Sequence, residues 1–173
     1  YVSDNDAFTI NQRVLDLNGA RDYDGTSDLA AGIFNLDNLV GSETLGLSGT
    51  GSMADKNVGA DKPVTLDTLA ISDATGLASN YTLTGGTHEV DISQLAVTVT
   101  ADEQTKVYGD GDPALTYQVS TALVGGDSYT GGLSRAAGQN VVGGGYAINQ
   151  GDLAIADGNG GGNYALSYIG DTL

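Results

Sequence analysis

The residues best placed for chemistry are acids standing beside glycine. In LAIADGNGGGNY, residues 153–164, Asp157 sits at the mouth of a run of Gly and Asn, types that let a backbone approach a ligand closely and aim several N–H groups at one point. Asp110-Gly111-Asp112, with Asp102 and Glu103 nearby, offers hard oxygen ligands in a turn. Such a donor set suits a weak extracellular calcium site, with a dissociation constant of about 10⁻⁴ to 10⁻³ M. Asp in a turn has a commoner role, accepting from the backbone two residues on. An exposed tyrosine such as Tyr129 can stack on a sugar ring, although Trp, the usual residue for that task, is absent.

Catalytic constellations are missing. His88 is the single imidazole and there is no Cys, so a zinc site of several His or Cys cannot be built. His88 beside Glu89 reads as a strand residue facing solvent and not as a base. No G-x-S-x-G elbow or Gly-Lys-Ser/Thr phosphate loop occurs. Gly49-Thr50-Gly51-Ser52-Met53-Ala54 fits G-x-G-x-x-A, but Gly59 and Pro63 fall where the following helix should run. Close carboxylate pairs are expected by chance among 22 acids, and Asp4-Asn5-Asp6 lacks the Gly and closing Glu of an EF-hand loop. The chain reads as no enzyme and as needing no cofactor, with calcium at Asp110 and Asp112 the one ion worth weighing.

Charge narrows the partners. Six Lys plus Arg stand against 22 acids, net −16, so no basic stripe is available for phosphates or for anionic membrane surfaces. No apolar run approaches a membrane span and no signal peptide opens the chain, so export would require a signal outside these residues. The absence of Cys fits the cytosol and a bacterial surface alike.

The elements that must position these residues come twice. Leu69-Ala70-Ile71 and Asp73 match Leu153-Ala154-Ile155 and Asp157, and Asn80-Tyr81 matches Asn163-Tyr164. FTINQRVLDL (8–17) matches VDISQLAVTV (90–99), with Gln12 opposite Gln94; Tyr23-Asp24-Gly25 falls opposite Tyr108-Gly109-Asp110, and Lys56-Asn57-Val58 opposite Gln139-Asn140-Val141. The anchors share a period of about 84 residues. LAISDATGLASNY (69–81) keeps the frame of the glycine loop without its glycines, so that loop reads as a length-variable connection in preference to a phosphate cradle. Residues 1–9 read as the tail of a preceding copy, 10–91 as one module and 92–173 as the next, an excerpt of a longer array. Both modules are acidic, at −8 and −6, so identical edges in an array would repel instead of pairing.

Each module reads as β. Leu95, Val97 and Val99 alternate with Ala96, Thr98 and Thr100, and Val64 to Ile71, Leu115 to Val119 and Tyr164 to Ile169 are similar short runs bounded by turn signals. Asp28 to Asp37 (DLAAGIFNLD) is the best helical window. Tyr23, Tyr108, Tyr81 and Tyr164 are expected to pack their rings in a core with the hydroxyls at its rim. A unit of this size buries about 60% of its unfolded surface, enough to fold without disulfides when neighbours help. The predicted fold is mainly β: two tandem small modules forming an elongated rod, each an immunoglobulin-like sandwich, with a β-grasp arrangement as the alternative if 28–37 is helical.

Longer motifs carry a family resemblance. ARDYDGTS (20–27), DKNVGADKPV (55–64) and SNYTL (79–83) resemble the YDG repeat of bacterial surface adhesins. KVYGDGDPALTY (106–117), GGDSYTGGLSRAAGQNV (125–141), GYAINQGDLAI (145–155) and NYALSY (163–168) resemble the glycine-rich MBG repeat that often follows it. Val142-Gly143-Gly144-Gly145 departs from the shorter Val-Gly-x usual before the Tyr, which implies an enlarged turn. The resemblance implies a secreted or cell-surface adhesin of a Gram-negative bacterium, similar to filamentous haemagglutinin and exported by two-partner secretion, acting in attachment or biofilm formation. The repeats would be its stalk, with neighbouring repeats as partners and no catalytic residues. The alternative is direct binding of a polysaccharide or protein receptor through turns such as Gly125 to Tyr129.

Overall fold

The structure is a computed structural model that describes residues 9–141, 143 and 145–173. The protein is mainly β, built from short strands in many small sheets, and no barrel forms among the described residues. Two single-turn 3₁₀ segments, Ala31–Ile33 and Ala78–Asn80, are the helical elements described. No helix there is long and apolar enough to cross a membrane.

The chain forms two compact units. Of the described residues, the first holds those up to Arg21 with Ser27–Asp55 and Gly59–Asp91; the second holds Asp22–Thr26, Lys56–Val58 and those of Ile92–Leu173. In or mostly in the first unit lie β1 (Arg13–Val14), β2 (Asp16–Asp22), β3 (Asp28–Ala30), β4 (Phe34–Asp37), β5 (Leu45–Ser48), β6 (Thr50–Ser52), β7 (Gly59–Pro63), β8 (Ala70–Asp73), β9 (Tyr81–Thr82) and β10 (His88–Ser93). Their largest sheet runs β4-β2-β10-β7. Leu15, Leu17, Leu69, Tyr81 and Leu83 form the buried core, with Phe34, Leu36, Leu47 and Ile71 packed against it. Leu17 and Gly19 point inward from β2 while Asn18 faces out, the period-two pattern of a half-buried strand. Gly19 pairs with Phe34, whose ring covers the missing side chain: a Cβ on Gly19 would lie 2.7 Å from Phe34 Cδ1.

The second unit contains β11 (Leu95–Ala101), β12 (Tyr117–Val119), β13 (Ser128–Thr130), β14 (Ser134–Arg135), β15 (Ala147–Asn149), β16 (Ala154–Ala156), β17 (Tyr164–Ile169) and β18 (Asp171–Thr172). β11 is central, antiparallel to β12 and parallel to β17. Val97, Val99 and Ala101 are buried, as their alternation predicts.

The internal repeat is written in the register of the strands. β1 pairs with β9 in parallel through Arg13 and Tyr81; β11 pairs with β17 in parallel through Leu95 and Tyr164. Gln12 donates its side-chain amide to the Ser79 carbonyl at 3.1 Å, and Gln94 donates to the Gly162 carbonyl at 3.1 Å. β5 lies antiparallel to β8, and β13 antiparallel to β16. The bridge between Ser52 and Thr65 has its counterpart in the pairing of Arg135 with Ile148.

Two local expectations give way. Asp28 to Asp37 is strand, one 3₁₀ turn, then strand, because Leu29 is buried opposite Gly51 while Phe34 and Leu36 face inward two residues apart, a spacing that suits β and not α. The short helix that favoured a β-grasp reading is therefore absent from that segment. Val64 to Ile71 is mostly loop: Pro63 ends β7, and β8 begins at Ala70. Leu115 to Val119 is strand from Tyr117 onward.

Tight turns make some glycines obligatory. Gly131 has φ of +71°, and a Cβ there would sit 2.1 Å from the Asp152 carbonyl oxygen, whereas a Cβ on Gly132 meets nothing within 4 Å. Gly131→Ala is expected to destabilise the chain by at least about 1–3 kcal/mol in urea unfolding, and Gly132→Ala to leave the midpoint nearly unchanged.

Candidate functional site

The glycine loop after β16 holds its own anion. The Asp157 side chain turns inward, leaving the residue 3% exposed. Its Oδ1 accepts from the N–H of Asn159 at 2.7 Å and of Gly161 at 2.8 Å, and its Oδ2 from that of Asn163 at 2.9 Å. Gly158, Gly160 and Gly161 all have positive φ, which aims those N–H groups at one point. The cradle is real in geometry and already filled. Burial alone would raise the Asp157 pKa, but the backbone N–H groups outweigh it and hold the carboxyl below its ordinary value. Asp73 does related work in the first unit, accepting from Ala78 N–H at 2.7 Å without the glycines.

A second polar cluster in the second unit centres on Asp127. The turn Val124-Gly125-Gly126-Asp127 closes with Asp127 N–H donating to the Val124 carbonyl at 3.1 Å. Tyr164 and Tyr23 both donate their hydroxyls to Asp127 Oδ2, at 2.8 and 2.9 Å. Lys56 Nζ stands 3.3 Å from Asp127 Oδ1 and 5.4 Å from the centre of the Tyr23 ring. The two tyrosine rings meet edge to face at 5.4 Å. Beside them Asn163, fully buried, donates to Asn57 Oδ1 at 3.1 Å and accepts from Val58 N–H at 3.0 Å. Burial first, and the Asp127 carboxylate after it, push the Tyr164 pKa up to about 12, against the lowering effect of the Val124 N–H; burial likewise raises that of Tyr23.

The same clasp appears in the first unit. Tyr81 donates its hydroxyl to Glu43 and accepts from Val40 N–H at 3.2 Å, as Tyr164 accepts from Val124 N–H at 3.0 Å. Glu43 N–H closes the turn on the Val40 carbonyl at 3.1 Å. Sequence reasoning found the tyrosines and missed the acids. The signal was present: Leu39-Val40-Gly41-Ser42-Glu43 and Leu123-Val124-Gly125-Gly126-Asp127 stand one period apart. Asp127 already receives two phenols and a lysine, an arrangement that holds tyrosines in place.

Asp112 faces cations. Lys106 Nζ lies 2.6 Å from its Oδ1, and Arg135 reaches it through Nε at 2.8 Å and Nη2 at 3.0 Å. Arg135 and then Lys106 lower its pKa to about 2. Asp110 is exposed, and its carbonyl accepts from Lys106 at 3.2 Å. Asp102 accepts from the Gln118 amide at 3.2 Å. Among the described residues no three His, Cys, Asp or Glu side chains come together as metal ligands, and a cation at Asp112 would compete with both basic groups. Tyr129 is half-buried, its ring edge-on to Tyr117 at 5.8 Å and its hydroxyl buried without a hydrogen-bond partner. His88 is a half-buried residue of β10 whose Nε2 lies 2.8 Å from the Leu83 carbonyl. Thr50–Ser52, inside the G-x-G-x-x-A match, is strand. Asp4-Asn5-Asp6, Val142 and Gly144 lie outside the described residues.

Tyr108 corrects an expectation. It is 68% exposed and not in a core, although its counterpart Tyr23 is 2% exposed. It lines a cavity of about 430 Å³ in the second unit together with Gln104, Gln139, Asn140, Val141 and Tyr146. Tyr146 donates to the Asn140 carbonyl at 2.9 Å and lies under the Arg135 guanidinium, 5.6 Å from ring centre to Cζ.

Residues 9–88 match the YDG domain, and residues 97–173 match the MBG domain (YGX type). The chain carries the two in tandem. Both are repeat-like domains often found in surface proteins. No curated protein and no solved structure matches the chain.

Two measurements check these clusters. Asp127→Ala is expected to leave the Tyr23 and Tyr164 hydroxyls short of a partner, at a cost of roughly 1–3 kcal/mol each in urea unfolding. Ultraviolet titration should then show Tyr164 ionising earlier than in the parent, where the stability tied to its raised pKa is complete below about pH 10 and is lost as pH rises through about 12. Because the Asp157 pKa is depressed, its contribution is complete above the ordinary carboxylate pKa of about 3.9 and is lost as pH falls below it. Asp157→Asn, which turns an NH₂ toward backbone donors, should lower stability at pH 7 and flatten the acid limb.

Proposed function

We propose that the chain is a non-catalytic stalk segment of a secreted bacterial surface adhesin, exported by two-partner secretion and working in cell attachment and biofilm formation. The observation that carries this reading is the repetition of one unit: the same parallel strand pair, the same glutamine-to-carbonyl bond and the same tyrosine–carboxylate clasp occur in both halves of the chain. A stalk needs repeated units more than a ligand site, and the polar loops here are largely occupied by their own side chains. Asp157 fills the glycine cradle and Asp127 is held by tyrosines and lysine. Tandem YDG and MBG domains support a place outside the cell, and the acidic charge of both modules supports a soluble array whose like edges repel.

Direct binding of a polysaccharide or receptor through the Gly125 to Tyr129 turn has less support. Within that turn Asp127 serves the clasp, and Tyr129 packs against Tyr117.

The test is binding of the purified chain to bacterial exopolysaccharides and host-cell surfaces, with calcium and then with chelator. The expected result is no saturable binding in either condition. Saturable binding abolished by Tyr129→Ala would replace the stalk reading with a direct adhesive one. Binding lost in chelator would bring Asp110 and Asp112 back as calcium ligands.

A further inference from the structure

Unit boundaries and repeat boundaries do not coincide. The second unit is made of residues 92–173 together with two short pieces of the preceding repeat, Asp22–Thr26 and Lys56–Val58. Those pieces supply Tyr23, Lys56, Asn57 and Val58, and every one of them makes a defined contact there. Tyr23 donates to Asp127, Lys56 pairs with Asp127, Asn57 accepts from Asn163, and Val58 N–H donates to Asn163. Gly25 approaches Gly125 so closely that a Cβ on Gly25 would lie 2.6 Å from the Gly125 Cα. These residues act as a plug for the module that follows them in sequence.

The following module keeps the Tyr, Asn and Val of the plug in the same order, with Gln in place of Lys56 and Asp110 opposite Gly25. Tyr108 is the counterpart of Tyr23, and Gln139-Asn140-Val141 that of Lys56-Asn57-Val58. The alignment holds in three dimensions, because the Arg135–Ile148 pairing repeats the Ser52–Thr65 bridge just before it. Tyr108 is 68% exposed and Val141 88% exposed, and both line the cavity of about 430 Å³. The cation is kept as well: Gln139 replaces Lys56, but Lys106 brings its ammonium to 2.5 Å from Gln139 Oε1.

We infer that Tyr108, Gln139, Asn140 and Val141 form the docking surface for a further β module of this kind following in the same chain. The occupant must present a Leu-Val-Gly-x-acid turn, whose carboxylate takes the Tyr108 hydroxyl, and an Asn-Tyr pair, whose Asn meets Asn140. Both modules of this chain carry those features, at Leu39–Glu43 with Asn80-Tyr81 and at Leu123–Asp127 with Asn163-Tyr164. Burying Tyr108 and Val141 would supply apolar area, and the acid and the amides would leave no buried polar group unpaired. The inference rests on the repeat architecture and not on adhesion, so a chain that binds polysaccharide could still pass the test below and one that does not could fail it.

The experiment extends the whole chain by a second copy of residues 92–173 placed after Leu173, with Tyr108→Phe in the added copy alone, and reads nitration of each tyrosine by tetranitromethane with peptide mass spectrometry. In the parent chain Tyr108 should react readily and Tyr23 hardly at all. In the extended chain Tyr108 should become protected about tenfold or more, as a stably buried group is. Asp127→Ala made only in the added copy should restore much of its reactivity. Protection of the added copy's own Tyr164 reports that this copy has folded; if it has not, residues 10–91 are added instead, since they carry the same turn. Tyr108 that stays reactive beside a folded added module overturns the inference. So does protection seen only with increasing concentration of the parent chain, which would make a second copy the occupant, or only with added glycan, which would make the cavity a saccharide site.

Discussion

An unpaired buried tyrosine hydroxyl is costly, and for Tyr23, Tyr81 and Tyr164 the partner is a carboxylate at the end of a Val-Gly-x-acid turn. That requirement ties three distant parts of each unit together. The tyrosine opens a strand paired in parallel with the first strand of its repeat, the acid closes a turn between consecutive strands that belong to different sheets, and the valine of that turn returns an N–H to the same phenol. In a chain without disulfides or tryptophan, and with no long helix among its described residues, such polar clasps specify which loop sits over which strand. The apolar core beneath, largely Leu, Val and Ile, supplies the driving force but has little shape of its own to set that register.

The glycine-rich loop follows the same logic from the backbone side. Several N–H groups converge at positive-φ glycines, and a convergent set of donors in a dry site demands an acceptor. Asp157 provides it from within the loop. A ligand cradle and a self-capped loop therefore share a composition. What separates them is whether the acid at the mouth turns in or out, and here its burial decides the matter. Asp112 follows a parallel course: Asp110 stands two residues away in sequence, but the charged groups against it in space are Lys106 and Arg135.

The period of about 84 residues, the mainly β character, the inward alternation of β11 and the burial of Tyr81 and Tyr164 were all legible in the order of residue types, because side-chain alternation and recurring anchors are local signals. The helix expected at Asp28 to Asp37 failed where local composition competed with pairing: Leu29 found a partner strand at Gly51, a contact no short window contains. The Glu43 and Asp127 clasps were visible as matching pentapeptides, but their purpose was not, since nothing local says that a turn acid will meet a tyrosine some 40 residues away.

By itself, then, the sequence determined that a β pattern recurs with a period of about 84 residues and that its loops are acidic and glycine-rich. Only the tertiary structure decided which equivalent residues are alike in role. Tyr23 and Tyr108 occupy the same place in their repeats, yet one is buried against Asp127 and the other stands open. The physical reason is that burial depends on what lies against a residue, and Tyr23 is packed by residues 92–173, with which it forms one compact unit.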